Sequence, residues 1–578
     1  MRNPLATAIL LALALSACDR AAAPQAAAAP APVAAASPAT PNHDFRPEIT
    51  AEDFNAHVQV MSSDDFGGRG PGSPGEEKTV EYIKAQFARI GLQPGNGGDW
   101  FQSVPMVSTT ADPATIMQLT VGGKAQELKF GTDMVVGTRS GQPQVSVRDS
   151  DLVFVGYGVN APEMDWNDYA GVDVKGKTVV MFVNDPGFHA HDAALFEGER
   201  MTYYGRWTYK FEEAARQGAA AAILIHDDAG AAYGWDVVKN SWSGAQHDLK
   251  PADDPEPRVP LQGWLTNAAA RQLFADAGMD LDAALKAAGR RGFKARPMDA
   301  KLSVDLKSTI SESTSRNVVG MLPGSSAPGE AIVYMAHWDH LGTHEGETGD
   351  AIYNGAIDNA TGVAGILEIA EALKKSTPPK RSVVFLAVTL EESGLLGSKY
   401  YVAHPVVPLA DTVGVINLDA MPVAGKSRDM TITGMGNSEL EDLLKDALAR
   451  QKRVATGEAD PTAGFYFRSD HFNFAKAGVP ALYAKGGGDL LAGGTTAGKA
   501  ASDDYRKNKY HKPSDEFDPA WDASGVVEDL DALAAVGRAL ADGGQWPNWY
   551  EGNAFRAARD KLRPAAASAP ATAGAATK

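Results

Sequence analysis

Basic residues are scarce in this chain relative to acidic ones: 54 Lys and Arg stand against 72 Asp and Glu, a formal net charge of −18 over 578 residues. A nucleic-acid binder carries a basic footprint, and charge-driven adsorption to anionic lipid needs the same sign; this balance argues against both. Cysteine is almost missing. Cys18 is the only one, which rules out an intrachain disulfide framework and any cysteine-rich metal site. The N-terminal apolar run is short as well, 11 residues from Leu5 to Leu15, where a bilayer span takes about 20. What is present is ordinary for a soluble globular protein: 44% hydrophobic and 22% charged residues, in the usual range. At ~150 residues per domain the length suggests two to four domains.

Both ends fall outside the expected core. Arg2, the α-amino group and the Leu5–Leu15 run suit an export signal. The run ends in Leu15-Ser16-Ala17-Cys18, which resembles the bacterial lipobox, where signal removal leaves a lipid-modified cysteine at the new N-terminus. The alternative is an ordinary secretory signal with a chance cysteine. The position of the sole cysteine at the cleavage site favours lipidation, and two or more acyl chains hold a protein stably on a membrane. The expectation is an exported bacterial lipoprotein, membrane-anchored through Cys18 and facing the periplasm or cell exterior. Asp19 resembles an inner-membrane retention signal whose rule varies between lineages, so inner against outer membrane stays open. Residues 19–44 read as a linker, since 12 of the 22 residues from Asp19 to Thr40 are Ala and 4 are Pro, with little to bury.

Residues 45–115 open the folded part. A Gly-rich stretch, Gly67-Gly68-Arg69-Gly70-Pro71-Gly72-Ser73, precedes a helix over Glu76–Ile90, with Val80, Ile83, Phe87 and Ile90 at helical spacing and Gly91 as its stop. Residues 116–302 change to short strands, such as Leu152–Val155 and Thr178–Val183, followed by a helix (Tyr209–Gln217) and a buried strand (Ala221–Ile225). This stretch holds no ordered set of Asp, Glu and His. His189 and His191, two apart, would chelate a metal on a strand, but Pro186 and Gly187 beside them point to a solvated loop. Residues 303–555 alternate buried strands with helices, which predicts an α/β domain with a mostly parallel or mixed central sheet. A disordered tail is expected over 556–578.

The chemistry-bearing residues cluster in that α/β region. Strand Ile332–Ala336 ends at His337, strand Ser382–Leu390 at Glu391-Glu392, and strand Thr412–Leu418 at Asp419. In open α/β sheets the ligand site lies beyond the carboxyl ends of the strands. Imidazole and carboxylate without thiolate suit zinc or a similar divalent ion. A pair of metals needs a shared carboxylate, and Asp358, ahead of a helix over Gly362–Leu373, is placed to bridge; its competing role is a helix cap, with Asn359 as rival. Adjacent side chains leaving a strand point different ways, so one of Glu391 and Glu392 can bind metal while the other faces the attacking water.

His337-Trp338-Asp339, Asp358-Asn359-Ala360-Thr361-Gly362, Glu391-Glu392-Ser393-Gly394, Asn417-Leu418-Asp419 and Tyr510-His511, in this order, resemble the di-zinc metallopeptidases that include the bacterial leucyl aminopeptidases and glutamate carboxypeptidase II. The resemblance implies two Zn2+: His337 and Asp419 on one, Glu392 and His511 on the other, Asp358 bridging. It implies Glu391 as general base for a zinc-activated water and Asp339 as the carboxylate that holds His337 in its ligating tautomer; Tyr510 is either a donor to the developing oxyanion, as in some members, or a packing residue. Arg468, Ser469 and Asp470, followed by His471, resemble a substrate-proximal segment, with helix capping as the alternative for Ser469 or Asp470. His340, His344 and His404 have no motif partner and read as surface or loop histidines. Tyr157-Gly158-Val159 and Gly218–Ile225 resemble the protease-associated (PA) domain inserted in part of the family, which makes 116–302 an insertion. The implied function is an aminopeptidase acting on peptides. A carboxypeptidase on the same scaffold, or a membrane-tethered binding protein with structural metals, remains the alternative. Substrate preference, native metal and oligomeric state stay open.

Overall fold

Periodicity decides the N-terminal helices. Helix Pro74–Ile90 begins at Ser73, whose side chain accepts the Gly75 N–H, and stops at Gly91 with φ +86°; it buries Val80, Ile83, Phe87 and Ile90 as their spacing predicts. Helix Ala51–Met61 precedes it, capped by Thr50 accepting from Asp53 N. The structure is a computed structural model and describes residues 43–344, 346 and 349–563. The expected signal, Cys18 and all but the last two residues of the linker lie outside the described residues, as does the chain beyond 563. No helix among the described residues is long and apolar enough to cross a membrane.

The central sheet is built around strand Ala327–His337. Its residues Ile332, Tyr334 and Ala336 enter one hydrophobic cluster and Ala331, Val333 and Met335 another, so both faces are covered, as a parallel strand requires. It runs parallel to Arg381–Val388 on one side and to Thr412–Asn417 on the other. Thr412–Asn417 pairs in parallel with Ala481–Gly486. Helix Thr361–Lys375 makes the crossover between the first two strands and packs on one face with helix Ser524–Asp542.

A second sheet occupies the expected insertion. Strands Gln144–Phe154, Thr178–Phe182, Ala221–Ile225 and Leu261–Leu265 are consecutive parallel neighbours, with separate apolar clusters on their two faces. The boundary expected at 302/303 falls inside a strand, whereas 115/116 falls at the start of strand Ile116–Val121. A single 27-residue strand, Arg296–Leu322, pairs with Gln144–Phe154 at its start, with Phe101–Ala111 in its middle and with Arg381–Val388 at its end. The regions are thus joined by a hydrogen-bonded ribbon, which composition does not reveal. The start of the expected tail is ordered: Arg556–Leu562 is a helix, the buried Arg559 donates to the carbonyls of Thr412 and Val413 at 3.1 and 3.3 Å, and Leu562 packs on an apolar cluster of the core.

Candidate metal centre

The chain leaves strand Ala327–His337 for a neighbour on one side and later returns to the other side. This switch opens a crevice at the carboxyl end of the strand, where His337 is the last residue. Glu391 and Glu392 follow the end of Arg381–Val388, and Asp419 follows Thr412–Asn417. Asp358 comes from the loop before helix Thr361–Lys375, and His511 from the C-terminal segment after helix Gly494–Asp504. The rival for the cap resolves locally: Asn359 accepts the Gly362 and Ala420 N–H groups at 2.9 and 3.1 Å and donates to Leu418 O at 3.0 Å. Asp358 is therefore released from capping.

Its carboxylate lies between the histidines. Asp358 Oδ1 is 3.3 Å from His337 Nε2, and Oδ2 is 3.3 Å from His511 Nε2. His337 Nε2 is also 3.7 Å from Asp419 Oδ1, and His511 Nε2 is 3.1 Å from Glu392 Oε2. Among the described residues two sets could hold an ion, His337–Asp358–Asp419 and His340–Asp358–Glu392, each with donor atoms within 4.8 Å of one another. Asp358 belongs to both. Glu391 belongs to neither.

The second set corrects the reading of His340 as a surface or loop histidine. It is buried, its Nδ1 2.8 Å from Glu392 Oε1, and its ring meets that of His511 edge-on at 5.7 Å. The adjacency His337-Trp338-Asp339-His340 was the available signal. His344 and His404 are exposed.

Electrostatics show a centre with more carboxylates than cations. Burial works to raise Asp358, yet the His337 and His511 rings hold it well below the usual range. Burial is likewise outweighed at Asp419 by His337, and at Glu392, against the Asp358 charge, by His340 and His511. His511 is driven up to about 10, since Asp358 and Glu392 overcome its burial. Glu391 goes the other way: burial, aided by the neighbouring Glu392 and Asp419 charges against His337, raises it well above the carboxylate range. Neighbouring carboxyls pushed apart in this way mark groups with separate tasks.

Asp339 supports the centre differently from expectation. Its backbone carbonyl, at 3.1 Å, meets His337 Nδ1, while its carboxylate is 3.8 Å away. The carboxylate instead accepts the N–H groups of Glu391 and Glu392 at 3.1 and 3.4 Å, which fixes the strand end that carries both. Ser469 and Asp470 do not cap the helix His471–Lys476. Ser469 Oγ accepts from Asn417 Nδ2 at 2.7 Å, beside the strand end that carries Asp419, and Asp470 accepts from Ser398 Oγ at 2.6 Å, in the helix Leu396–Ala403 that follows Glu391-Glu392. Arg468 is exposed, over the Phe465 ring. Tyr510 stacks on His511 with centroids 3.9 Å apart and remains 46% exposed as a residue, while burial near the Asp358, Glu392 and Glu391 carboxylates raises its hydroxyl well above the ordinary value. Arg69 and Asp515, which the motif reading did not select, both bond to the loop bearing Asp358.

Residues 317–535 match the family model described as Peptidase family M28. Aminopeptidase YwaD of Bacillus subtilis (strain 168) is 36% identical over 168 residues, 29% of this chain and 34% of that protein. Aminopeptidase NAALADL1 of Mus musculus is 32% identical over 129 residues, 21% of this chain and 16% of that protein. The similarity thus spans about a third or less of these curated relatives. Among solved structures, an aminopeptidase from Aneurinibacillus sp. strain AM-1 aligns with a TM-score of 0.46 and 21% identity, covering 86% of this chain and 95% of that one.

Proposed function

We propose that this chain, whose residues 317–535 belong to peptidase family M28, is a zinc-dependent exopeptidase that removes N-terminal residues from peptides. The observation that carries the reading is the shared carboxylate: Asp358 serves two adjacent ligand sets while Glu391 stands beside both and in neither. The donor set fits the ions. Imidazole and carboxylate suit zinc, and the excess of buried carboxylates is the charge that cations would satisfy. His337 and Asp419 would hold one ion, Glu392 and His511 the other, with Asp358 between; His340 buttresses Glu392.

When bound, the ions supply Lewis acidity to the attacking water and the scissile carbonyl. The protein's own part begins at Glu391, whose raised affinity for a proton suits a group that takes one from water and passes it to the leaving amine nitrogen. Asp339, through two N–H bonds, keeps that carboxylate at the strand end. Tyr510 Oη donates to the carbonyl oxygen as negative charge grows there, its ring steadied on His511. The free amino terminus of the substrate meets the acidic centre. Of Arg468, Ser469 and Asp470, only the exposed Arg468 would border the substrate, since Ser469 and Asp470 are buried. Aminopeptidase YwaD and Aminopeptidase NAALADL1 lend this polarity support, while a glutamate carboxypeptidase 2 homolog of Caenorhabditis elegans, 33% identical over 127 residues, keeps the other polarity for the reporters to decide.

Zinc content measured beside hydrolysis of aminoacyl and N-blocked reporters tests the proposal. Two ions and cleavage confined to free-amine reporters are expected; cleavage of N-blocked peptides from their carboxyl end would transfer the chain to carboxypeptidase action, and bound metal without any hydrolysis to a binding role. We place the PA-like region beside the cleft, and the whole protein on the outer side of a bacterial membrane, anchored by lipid on Cys18. Cys18→Ala should then abolish acylation and release the protein from membranes; unchanged fractionation would remove the anchor.

A further inference from the structure

The bridging carboxylate sits on backbone that cannot hold itself. Asp358 (φ −108°, ψ 95°) and Asn359 (φ −135°, ψ 40°) both leave the helical region, so the polar groups of this loop need partners from elsewhere. Two remote segments provide them, from opposite sides.

On the carbonyl side is Arg69, 1% exposed. Its Nη1 donates to Asn354 O at 2.6 Å and its Nη2 to Gly355 O at 2.7 Å and Asp358 O at 3.4 Å. Nε donates to Trp338 O at 2.8 Å, next to the ligand His337, and Nη1 also to Met61 O at 3.0 Å. On the amide side is Asp515, fully buried four residues after His511. Its carboxylate accepts Ile357 N–H at 3.1 Å and Asp358 N–H at 3.0 Å, and its carbonyl accepts Ala356 N–H at 2.9 Å. Among the described residues neither charge has an ion-pair partner, and a buried charge without one is costly. The costs continue in the backbone. Arg69 is held at φ +49°, a conformation few non-glycine residues adopt. Its flanking Gly68 and Gly70 press on Gly342, where a Cβ on Gly68 would lie 2.4 Å from Gly342 O. Backbone strain and a buried guanidinium met only at a distance by carboxylates such as Asp358 and Asp515 collect at one residue and indicate a task beyond packing.

We infer that Arg69 and Asp515 form a two-sided clamp, a pair of positioning residues that present Asp358 to both ions. The guanidinium fork suits the carbonyl side, because its N–H groups fan out to several acceptors at once. The carboxylate suits the amide side, accepting two successive N–H groups. The clamp makes the N-terminal region 45–115 a permanent part of the metal centre rather than a removable pro-segment. The inference rests on the metal-centre reading above.

The test uses the full chain, stripped with chelator and titrated with zinc, with cobalt absorption spectra taken in parallel. Arg69→Met and Asp515→Asn should still unfold cooperatively without metal, yet bind zinc about 10–100-fold more weakly, as loss of an outer partner does, and show an altered cobalt band. Arg69→Lys should not restore affinity, since one ammonium cannot reach carbonyls of three segments. Guanidinium ion added to Arg69→Ala should recover part of it. Variants that lose stability but keep wild-type zinc affinity and cobalt spectrum would overturn the clamp, leaving Arg69 and Asp515 as packing. If Arg69 variants do not fold, the near-isosteric Asp515→Asn decides: unchanged zinc affinity overturns the inference, weakened affinity supports it. A wild-type chain that binds no zinc overturns the metal-centre reading, and the clamp falls with it.

Discussion

Two regions of this molecule bury carboxylates beside parallel strands, and they neutralise them in different ways. In residues 116–302, Asp168 and Asp185 are buried around Lys210, which comes from helix Trp207–Arg216. Asp168 accepts from Val159 N, Tyr157 N and Trp166 Nε1 at 3.0, 3.2 and 2.8 Å. Asp185 accepts from Gly187 N, Thr202 N and Thr202 Oγ1 at 3.2, 3.1 and 2.8 Å. Hydrogen-bond donors meet both carboxylates, while Lys210 acts on them only through its charge: its Nζ has no hydrogen-bond partner among the described residues, and burial lowers it to about 7. The crevice at the strand ends brings together Asp358, Glu391, Glu392 and Asp419, with the His337, His340 and His511 rings between them and Lys485 donating to the Asp419 carbonyl at 3.2 Å. The comparison teaches that buried acidity alone does not distinguish the two regions; what meets it does, mainly backbone and hydroxyl donors in the first and imidazole rings in the second.

The expected metal alternative in the first region weakens on the same ground. His189 bonds to Asp227 at 2.8 Å and to Tyr157 Oη at 3.0 Å, while His191 is exposed and pairs with Glu199 at 2.7 Å. The two rings serve different partners.

The contrast breaks first at the bridge. Asp358→Ala should remove both ions together and abolish hydrolysis, with a lowered melting temperature that added zinc restores little, because binding energy is also folding energy. Two tightly bound ions retained in this variant would show that the bridge lies elsewhere. At the neighbouring pair, Glu391→Gln should lower kcat by ~10²–10⁴ with zinc content intact, whereas Glu392→Gln should shed one ion and be partly repaired by excess zinc. Metal analysis beside steady-state kinetics reads both, and exchanged phenotypes would exchange the two roles.

The first set predicts the opposite pattern. Lys210→Met removes the cation whose charge acts on both buried carboxylates and should lower stability, seen in denaturant unfolding. Zinc affinity and turnover per folded molecule should not change. A matching loss of zinc would mean that the two regions are coupled.

A smaller effect separates the regions by pH. Metal-free His511 has its affinity for protons raised from the ordinary value to about 10, so its share of stability is complete below about 6.5. That share is lost as pH rises through about 10. Zinc must displace the same proton, so zinc affinity should climb over this window while the metal-free melting temperature falls. His511→Gln should flatten both slopes; a wild-type zinc affinity independent of pH would take His511 out of the ligand set.

Much of this centre could be read from covalent order. His337, Glu391-Glu392 and Asp419 were legible because each follows an apolar strand whose end is set by local pattern, and strand ends of a parallel sheet converge on one crevice. The helices Pro74–Ile90 and Thr361–Lys375 were legible through the same periodicity. Asp339 was found, but its action through a carbonyl on one side and a carboxylate on the other was not, since motif spacing does not reveal which atom faces which neighbour.

The sequence by itself determined most element types and the motif residues His337, Asp358, Glu391, Glu392 and Asp419, because these depend on residues close in the chain. Only the tertiary structure decided that strand Arg296–Leu322 joins both sheets, that His340 turns inward to Glu392, that Lys210 is buried near Asp168 and Asp185, and that Arg69 and Asp515 bond to the loop of Asp358 on its carbonyl and amide sides. Each of these is a contact between segments far apart in sequence, settled by which buried charge or backbone group still lacked a partner once the sheets had formed.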